Sequence, residues 1–371
     1  MDGSLFSESA IIDRPAFVRP DSSDAIGLPK YGLNGETSAA QIHRRVVPAL
    51  LEGDPRRDEL LGPMLESMDA FEILPAGRIL AGAGLDRDVT LFNCFVMGRI
   101  PDSIGGIFEA VREAALTMQQ GGGIGYDFSP IRPKGAPVNG VGADASGPVS
   151  FMDVWDAMCR TIQSAGARRG AMMATLRCDH PDVELFIDAK REPGRLRMFN
   201  LSVLVTDAFM AAVQRGAEWP LVFDGKVYRT VDARYLWDRI MRATYAYAEP
   251  GVIFIDRINQ MNNLGYCETI DATNPCAEQA LPPYGACCLG QVWLPRFVRG
   301  AFTPGAHVDF RRLEWAVGAM VRLLDNVIDR SRYPLPAQQA EAVAKRRIGL
   351  GTPGLASTLA MLGLRYGSYE A

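Results

Sequence analysis

From Thr90 onward, short apolar runs alternate with helical patterns, and this alternation constrains the fold more than any other feature of the chain. Parallel strands cannot be joined by tight turns; each needs a crossover of a dozen or more residues, usually a helix. A chain that reads strand, helix, strand, helix is therefore expected to build an α/β fold on a parallel sheet. Thr90 to Met97 reads as a strand carrying Cys94. Asp102 is placed to cap a helix from Ile104 to Met118, with Ile104, Ile107, Phe108, Val111 and Ala115 as its apolar stripe and Gly121 after its end. Ser150 and Asp153 form a capping-box pattern around a second stripe of Phe151, Val154, Trp155, Met158 and Ile162. Leu201 to Val205 and Val252 to Ile255 read as buried strands, with helices near Ala208 to Val213 and Tyr235 to Tyr247. Asp224-Gly225 marks a hairpin turn between Pro220 to Phe223 and Val227 to Thr230.

Ahead of this region the pattern differs. Residues 1–34 are rich in Pro, Gly, Ser and Asp and read as a loosely ordered lead-in. Residues 35–89 read as a small helical region. Ser38 caps a helix with Ala39, Ile42 and Val46 on one face, ending at Pro48, and a second helix runs from about Pro63 to Phe71. Residues 90–371 then form the main body, and 371 residues exceed what one ordinary core holds.

Composition excludes several classes of function. A net charge of −4 leaves no electrostatic footprint for nucleic acid, so phosphate binding must be local. No apolar run approaches the ~18 residues of a membrane-spanning helix, and the acidic start Met1 to Glu8 is no signal peptide. Seven cysteines, an odd number, point to a reducing cytoplasm with catalytic thiols rather than structural disulfides.

Asn274-Pro275-Cys276-Ala277-Glu278, followed eleven residues after its cysteine by Cys287, puts an amide, a thiol and a carboxylate within reach of one small substrate. An amide donates and accepts hydrogen bonds, a thiol gives up a hydrogen atom, and a carboxylate moves a proton. That set suits radical chemistry on a hydroxylated substrate better than hydrolysis. Two plainer readings stand beside it: an inert buried cysteine after an Asn-Pro turn, and a zinc site using Cys267, Cys276, Cys287 and Cys288. The irregular spacing and the lack of a Cys-x-x-Cys pair argue against zinc, and no metal ligands are assigned. Gly121-Gly122-Gly123-Ile124-Gly125 is neither a dinucleotide fingerprint nor a phosphate loop; it either lets backbone approach a ligand or relieves a tight turn.

Several blocks, in one order, resemble the large catalytic subunit of ribonucleotide reductase, most closely its adenosylcobalamin-dependent class. They are Leu91-Phe92-Asn93-Cys94-Phe95-Val96, Gln119 to Phe128, Gly147 to Met152, Arg168-Arg169-Gly170-Ala171-Met172-Met173, Asp179-His180-Pro181-Asp182, Asn200-Leu201-Ser202-Val203 and the Asn-Pro-Cys-Ala-Glu loop. The resemblance implies a ten-stranded α/β barrel, two five-stranded parallel halves set antiparallel, with a finger loop around residues 272–290 carrying Cys276 at its tip. It implies adenosylcobalamin as cofactor and a ribonucleotide as substrate. Cobalt–carbon homolysis would yield a deoxyadenosyl radical that makes Cys276 a thiyl, which takes hydrogen from the ribose 3′ carbon. Glu278 would serve as base on the 3′ hydroxyl, and Asn274 would hold and polarise the hydroxyls. Cys94 and Cys287 would supply two electrons and finish as a disulfide, reset by a thioredoxin-like dithiol. Gly122 and Phe95 become substrate contacts. Asp102, Ser103 and Arg132 (with Lys134) become a deoxynucleotide effector site at a homodimer interface. Arg168, Arg169 and Gly170 become the loop that relays effector identity. Cys159, Cys178 and Cys267 are left as structural thiols, and Cys288, where many relatives have Asn, as incidental.

Family members continue beyond Arg346 to Gly351, so the resemblance implies a barrel incomplete at its C-terminal end, with a complementing segment as a possible partner. Ser357 stands where many relatives have Asp. Two other readings stay open: a catalytic subunit driven by a separate radical-generating subunit, and a non-catalytic nucleotide-binding half-barrel.

Overall fold

The computed structural model describes residues 21–33, 35–138, 142–162 and 170–371. It divides into two units. One comprises residues 94–286 and 334–341; the other comprises 1–93, 287–333 and 342–371.

The 94–286 unit holds the parallel sheet. Its strands are β1 (Cys94–Val96), β2 (Gly123–Asp127), β3 (Met172–Arg177) and β4 (Phe199–Val205), and a fifth, Gly251–Phe254, completes the parallel set. They lie in the spatial order Gly251–Phe254, β4, β3, β2, β1. The register is continuous across the sheet: Cys94 faces Gly123, Ile124 faces Met172, Met172 faces Phe199, and Ser202 faces Gly251. Five parallel strands with crossover helices are one half of the expected barrel. Buried on both faces, they read as the near-continuous apolar runs seen in the sequence.

The crossovers carry α1 (Ile104–Gln119) after β1, α2 (Pro148–Thr161) after β2, the short helix Val183–Ile187 after β3, and both α3 (Asp207–Arg215) and α4 (Ala233–Tyr247) after β4. Asp102 does not cap α1. Ser103 does, accepting from the Gly106 N–H, while Asp102 accepts from Arg132. The buried face of α1 is also rotated from the expected stripe. Ile107, Ala110, Ala114, Thr117 and Met118 are covered, and Ile104 and Phe108 are exposed. The small Ala110 is where the helix meets β2, since its carbonyl accepts the Tyr126 hydroxyl at 2.7 Å. In α2, Ser150 lies inside the helix and bonds back to the Ser146 carbonyl, so the expected capping box is absent and Gly147 precedes the first turn. Proline at the first helical position needs no N–H partner. Phe128, Trp155, Tyr126 and Phe199 pack edge-on between α2 and the sheet, with ring centroids 5.2–6.1 Å apart. The hairpin Glu218–Phe223/Lys226–Asp232 turns through Asp224 and Gly225 as expected, with φ of 47° and 71°.

In the other unit, helix Ala39–Leu50 is capped by Ser38 but runs through Pro48, whose missing N–H falls within the last turn. Helix Arg57–Asp69 begins six residues earlier than expected, and Asp21–Tyr31, inside the expected lead-in, is helical. The long helix Phe310–Arg330 lies against a three-stranded sheet of Ile73–Pro75, Leu289–Val292 and Gly349–Gly351. Arg312, fully buried, donates to Glu72 and Ser67.

Candidate active site

The Asn-Pro-Cys-Ala-Glu segment forms the loop of a short antiparallel hairpin, in which Ala272 pairs with Leu281 and Thr273 with Ala280. Asn274 holds the loop closed. Its backbone N–H donates to the Gln279 carbonyl at 3.1 Å, and its side-chain Oδ1 accepts from the Gln279 N–H at 3.0 Å. Its carbonyl accepts from Ala277, whose φ of 63° completes the turn. Asn274 is itself fully buried, and its Nδ2 has no partner among the described residues. The closed turn leaves Cys276, Ala277 and Glu278 exposed at the tip.

Two strands of the sheet seat this loop. The Asn200 Nδ2 on β4 donates to the Pro275 carbonyl at 2.6 Å. On β2, Gly125 leaves room for the hairpin backbone: a Cβ there would stand 1.8 Å from the Thr273 carbonyl oxygen. Gly123, two residues earlier, lies between the loop and the first expected redox thiol. A Cβ at Gly123 would be 2.9 Å from Pro275 Cγ and 3.5 Å from the Cys94 Sγ. The Gly-rich block thus serves close backbone approach. Asn200, Gly123 and Gly125 were visible in the sequence only as parts of larger blocks, because their partners are 75 to 152 residues away.

The other expected site residues fall as follows. Gly122 and Phe95 pack on each other in the core, where a Cβ added to Gly122 would stand 2.7 Å from the Phe95 ring, and both are buried. Arg132 and Asp102 form a 2.8 Å ion pair, the arginine N–H also donating to Asp102, and Ser103 is spent on capping α1. Arg168 and Arg169 lie outside the described residues, and Gly170 packs against Cys159 and Met118. Cys287 is buried in the other unit. Beside it, the Cys288 thiol donates to the Leu324 carbonyl and burial holds its pKa well above the ordinary thiol range, which makes it structural. Burial pushes Cys159 up to about 11 and Cys178 up to about 12. Cys267, expected to be structural, is exposed. Among the described residues no three His, Cys, Asp or Glu side chains come together as a metal site.

Two cavities flank the hairpin. One of about 560 Å³ lies beside the loop tip, lined by Val252, Phe254, Ile258, Met261, Thr273 and Glu278 among others, and is mostly apolar. The second, about 650 Å³, opens at the carboxyl ends of β2, β3 and β4, where Asp127, Arg177 and Leu204 meet Arg99 and Asp271. Carboxyl ends of parallel strands are the usual ligand crevice of such sheets.

Burial pushes the Asp127 carboxyl up to about 7, and Asp271 on the same cavity adds to this, against hydrogen bonds from Ser129 and Thr175. A carboxyl whose folded pKa is raised favours the protonated folded state, so its contribution to stability is intact below about 4 and lost as pH rises through 7. Asp127 is only half-buried and lines the cavity, which reduces the full effect to about 1–2 kcal/mol. Asp127→Asn is therefore expected to be more stable than the parent at pH 8 by that amount and equal to it near pH 4. Urea midpoints across this range check the sign.

Residues 92–371 match the family described as ribonucleotide reductase, barrel domain. The chain belongs to the ribonucleotide reductase family. It is 45% identical over 304 residues to a Mycobacterium tuberculosis protein named vitamin B12-dependent ribonucleoside-diphosphate reductase, covering 81% of this chain and 43% of that protein. A Thermoplasma acidophilum protein of the same name is 38% identical over 309 residues, covering 82% and 40%. The ribonucleoside-diphosphate reductase large subunit of Arabidopsis thaliana is 28% identical over 344 residues, covering 80% and 42%. The chain thus spans less than half the length of these reductases. No helix among its described residues is long and apolar enough to cross a membrane.

Proposed function

We propose that this chain carries the thiol chemistry of ribonucleotide reduction, converting ribonucleotides to 2′-deoxyribonucleotides for DNA synthesis. The observation that carries the reading is the hairpin itself: a buried amide closes a turn that exposes a thiol and a carboxylate two residues apart, seated on β2 and β4 with Gly123 between the loop and the Cys94 thiol.

Adenosylcobalamin is the cofactor the reading requires. It brings its own cobalt within the corrin, so the protein must offer an exposed thiol rather than a cage of ligands. Cys276, exposed at the tip of the loop, fits that demand. When bound, the cofactor supplies one-electron chemistry that removes a hydrogen atom from a thiol. The greater identity to B12-dependent relatives than to the Arabidopsis large subunit favours this source over a separate radical-generating subunit.

The chain's own groups do the rest. Cys276 gives up its S–H hydrogen and takes one from the 3′ carbon of the ribose. Glu278 accepts the 3′ hydroxyl proton, and the Asn274 Nδ2 donates to a ribose hydroxyl. The 2′ hydroxyl leaves as water. Cys94 and Cys287 deliver two electrons and two protons, their S–H bonds are replaced by one S–S bond, and Cys276 returns the abstracted hydrogen to the 3′ carbon before taking back the S–H hydrogen it first gave up. An external dithiol of the thioredoxin kind then restores the pair, which suits a reducing cytoplasm. A deoxynucleotide effector at Asp102, Ser103 and Arg132 and a homodimer belong to the same reading. Effector binding there requires the Asp102–Arg132 pair to open or to present its remaining N–H groups.

The test is anaerobic product formation from CDP and CTP with dithiothreitol. Deoxyribonucleotide that appears only with adenosylcobalamin supports the proposal. Product that requires a radical-generating protein instead supports the second source, and no product under either condition overturns the reading for this chain.

A further inference from the structure

Thr273 directly precedes the loop and is 2% exposed, yet its hydroxyl has no hydrogen-bond partner among the described residues. Thr273 pairs with Ala280 across the hairpin, and its carbonyl packs on Gly125. In a helix a threonine hydroxyl bonds back to a carbonyl four residues earlier, but an extended strand offers no such acceptor. A buried hydroxyl left unbonded costs about 1–3 kcal/mol. Valine has the same shape and suits a strand at least as well. A hydroxyl kept at that cost needs another use, and Thr273 lines the same 560 Å³ cavity as Glu278. The adjacent Asn274 also has an unpartnered, buried Nδ2.

We infer that Thr273 is a positioning residue for the ribose, and that Thr273, Asn274 and Glu278 together recognise its vicinal diol. The chemistry matches group by group. Each hydroxyl of a diol can donate once and accept, and the three side chains offer a reversible hydroxyl, a pure donor and a pure acceptor. A lone carboxylate and amide serve one hydroxyl; the Thr273 hydroxyl serves the second. The hydrogen bonds left unmade in the empty hairpin are then completed by the ligand, so a sugar lacking one hydroxyl leaves a buried group unpaired.

This assignment rests on the ribonucleotide reading above, and the test separates the two. Titration calorimetry of the chain with CDP and 2′-deoxy-CDP is compared for the parent, Thr273→Val and Thr273→Ser, with thermal unfolding of each. The parent is expected to prefer CDP. Thr273→Val is expected to lose about tenfold of that preference, the value of one hydrogen bond, with an unchanged or raised Tm. Thr273→Ser is expected to retain it. A purely structural threonine would instead lower Tm on conversion to valine and leave the preference alone. An intact preference in Thr273→Val, or no preference in the parent, overturns the Thr273 assignment while leaving nucleotide binding in place. Failure of the parent to bind either nucleotide overturns the ribonucleotide reading and this assignment with it.

Discussion

Cys276→Ser is expected to abolish deoxyribonucleotide formation, lowering turnover by more than about 1,000-fold, while the chain folds as before. The two side chains differ little in size, and Cys276 stands exposed at the tip of the hairpin, outside every hydrogen bond that closes it. A substitution there changes stability by no more than about 0.5 kcal/mol. The chemistry is what changes. An O–H bond is much stronger than an S–H bond, so serine neither yields a hydrogen atom to the cofactor nor, as an oxygen radical, returns it reversibly. Cys94→Ser should behave differently: it leaves hydrogen abstraction possible and blocks sustained turnover, because the two-electron donor is broken. Product assays beside urea unfolding of each variant separate these cases. Multiple turnovers by Cys276→Ser would remove Cys276 from the mechanism.

Gly125→Ala is expected to be nearly as damaging, for a reason unrelated to reactivity. The added Cβ would lie 1.8 Å from the Thr273 carbonyl oxygen, a contact that no rotamer change relieves because both partners are backbone. Either β2 or the hairpin must move. Overpacking of this kind costs about 3 kcal/mol or somewhat more. Moving the hairpin by ~1 Å relative to Cys94, its proposed reductant, is expected to cost about 100-fold in rate even where the fold survives. Gly123→Ala makes a useful comparison. Its nearest contact is the edge of the Pro275 ring at 2.9 Å, a side chain that can shift slightly, so its effect should be smaller. Unfolding midpoints and turnover of the two variants, measured together, check the order.

The strands and the hairpin turn were legible because their signals are local. Buried parallel strands are apolar runs whatever surrounds them, and Asp224-Gly225 needs only its own φ angles. The errors arose where tertiary contacts choose between local options. Asp102 and Ser103 are both good helix caps; Arg132, thirty residues on, claims Asp102 and leaves the cap to Ser103. Ile104 and Phe108 look like core, but the helix turns Ala110 and Ala114 towards the sheet because close packing on Tyr126 favours small residues there. In the candidate site, Asn274, Cys276 and Glu278 stood out because their chemistry lies in five consecutive residues. Asn200, Gly125 and Thr273 did not, since each acts through a partner distant in sequence or through a hydrogen bond it does not make.

Cys276 is the proposed seat of the radical. Freeze-quench electron paramagnetic resonance of the chain with adenosylcobalamin and ribonucleotide, using protein labelled with β-deuterated cysteine, tests it most directly. A cysteine-centred signal that narrows on deuteration and disappears in Cys276→Ser is expected. A radical signal that is indifferent to both the label and the substitution would contradict it.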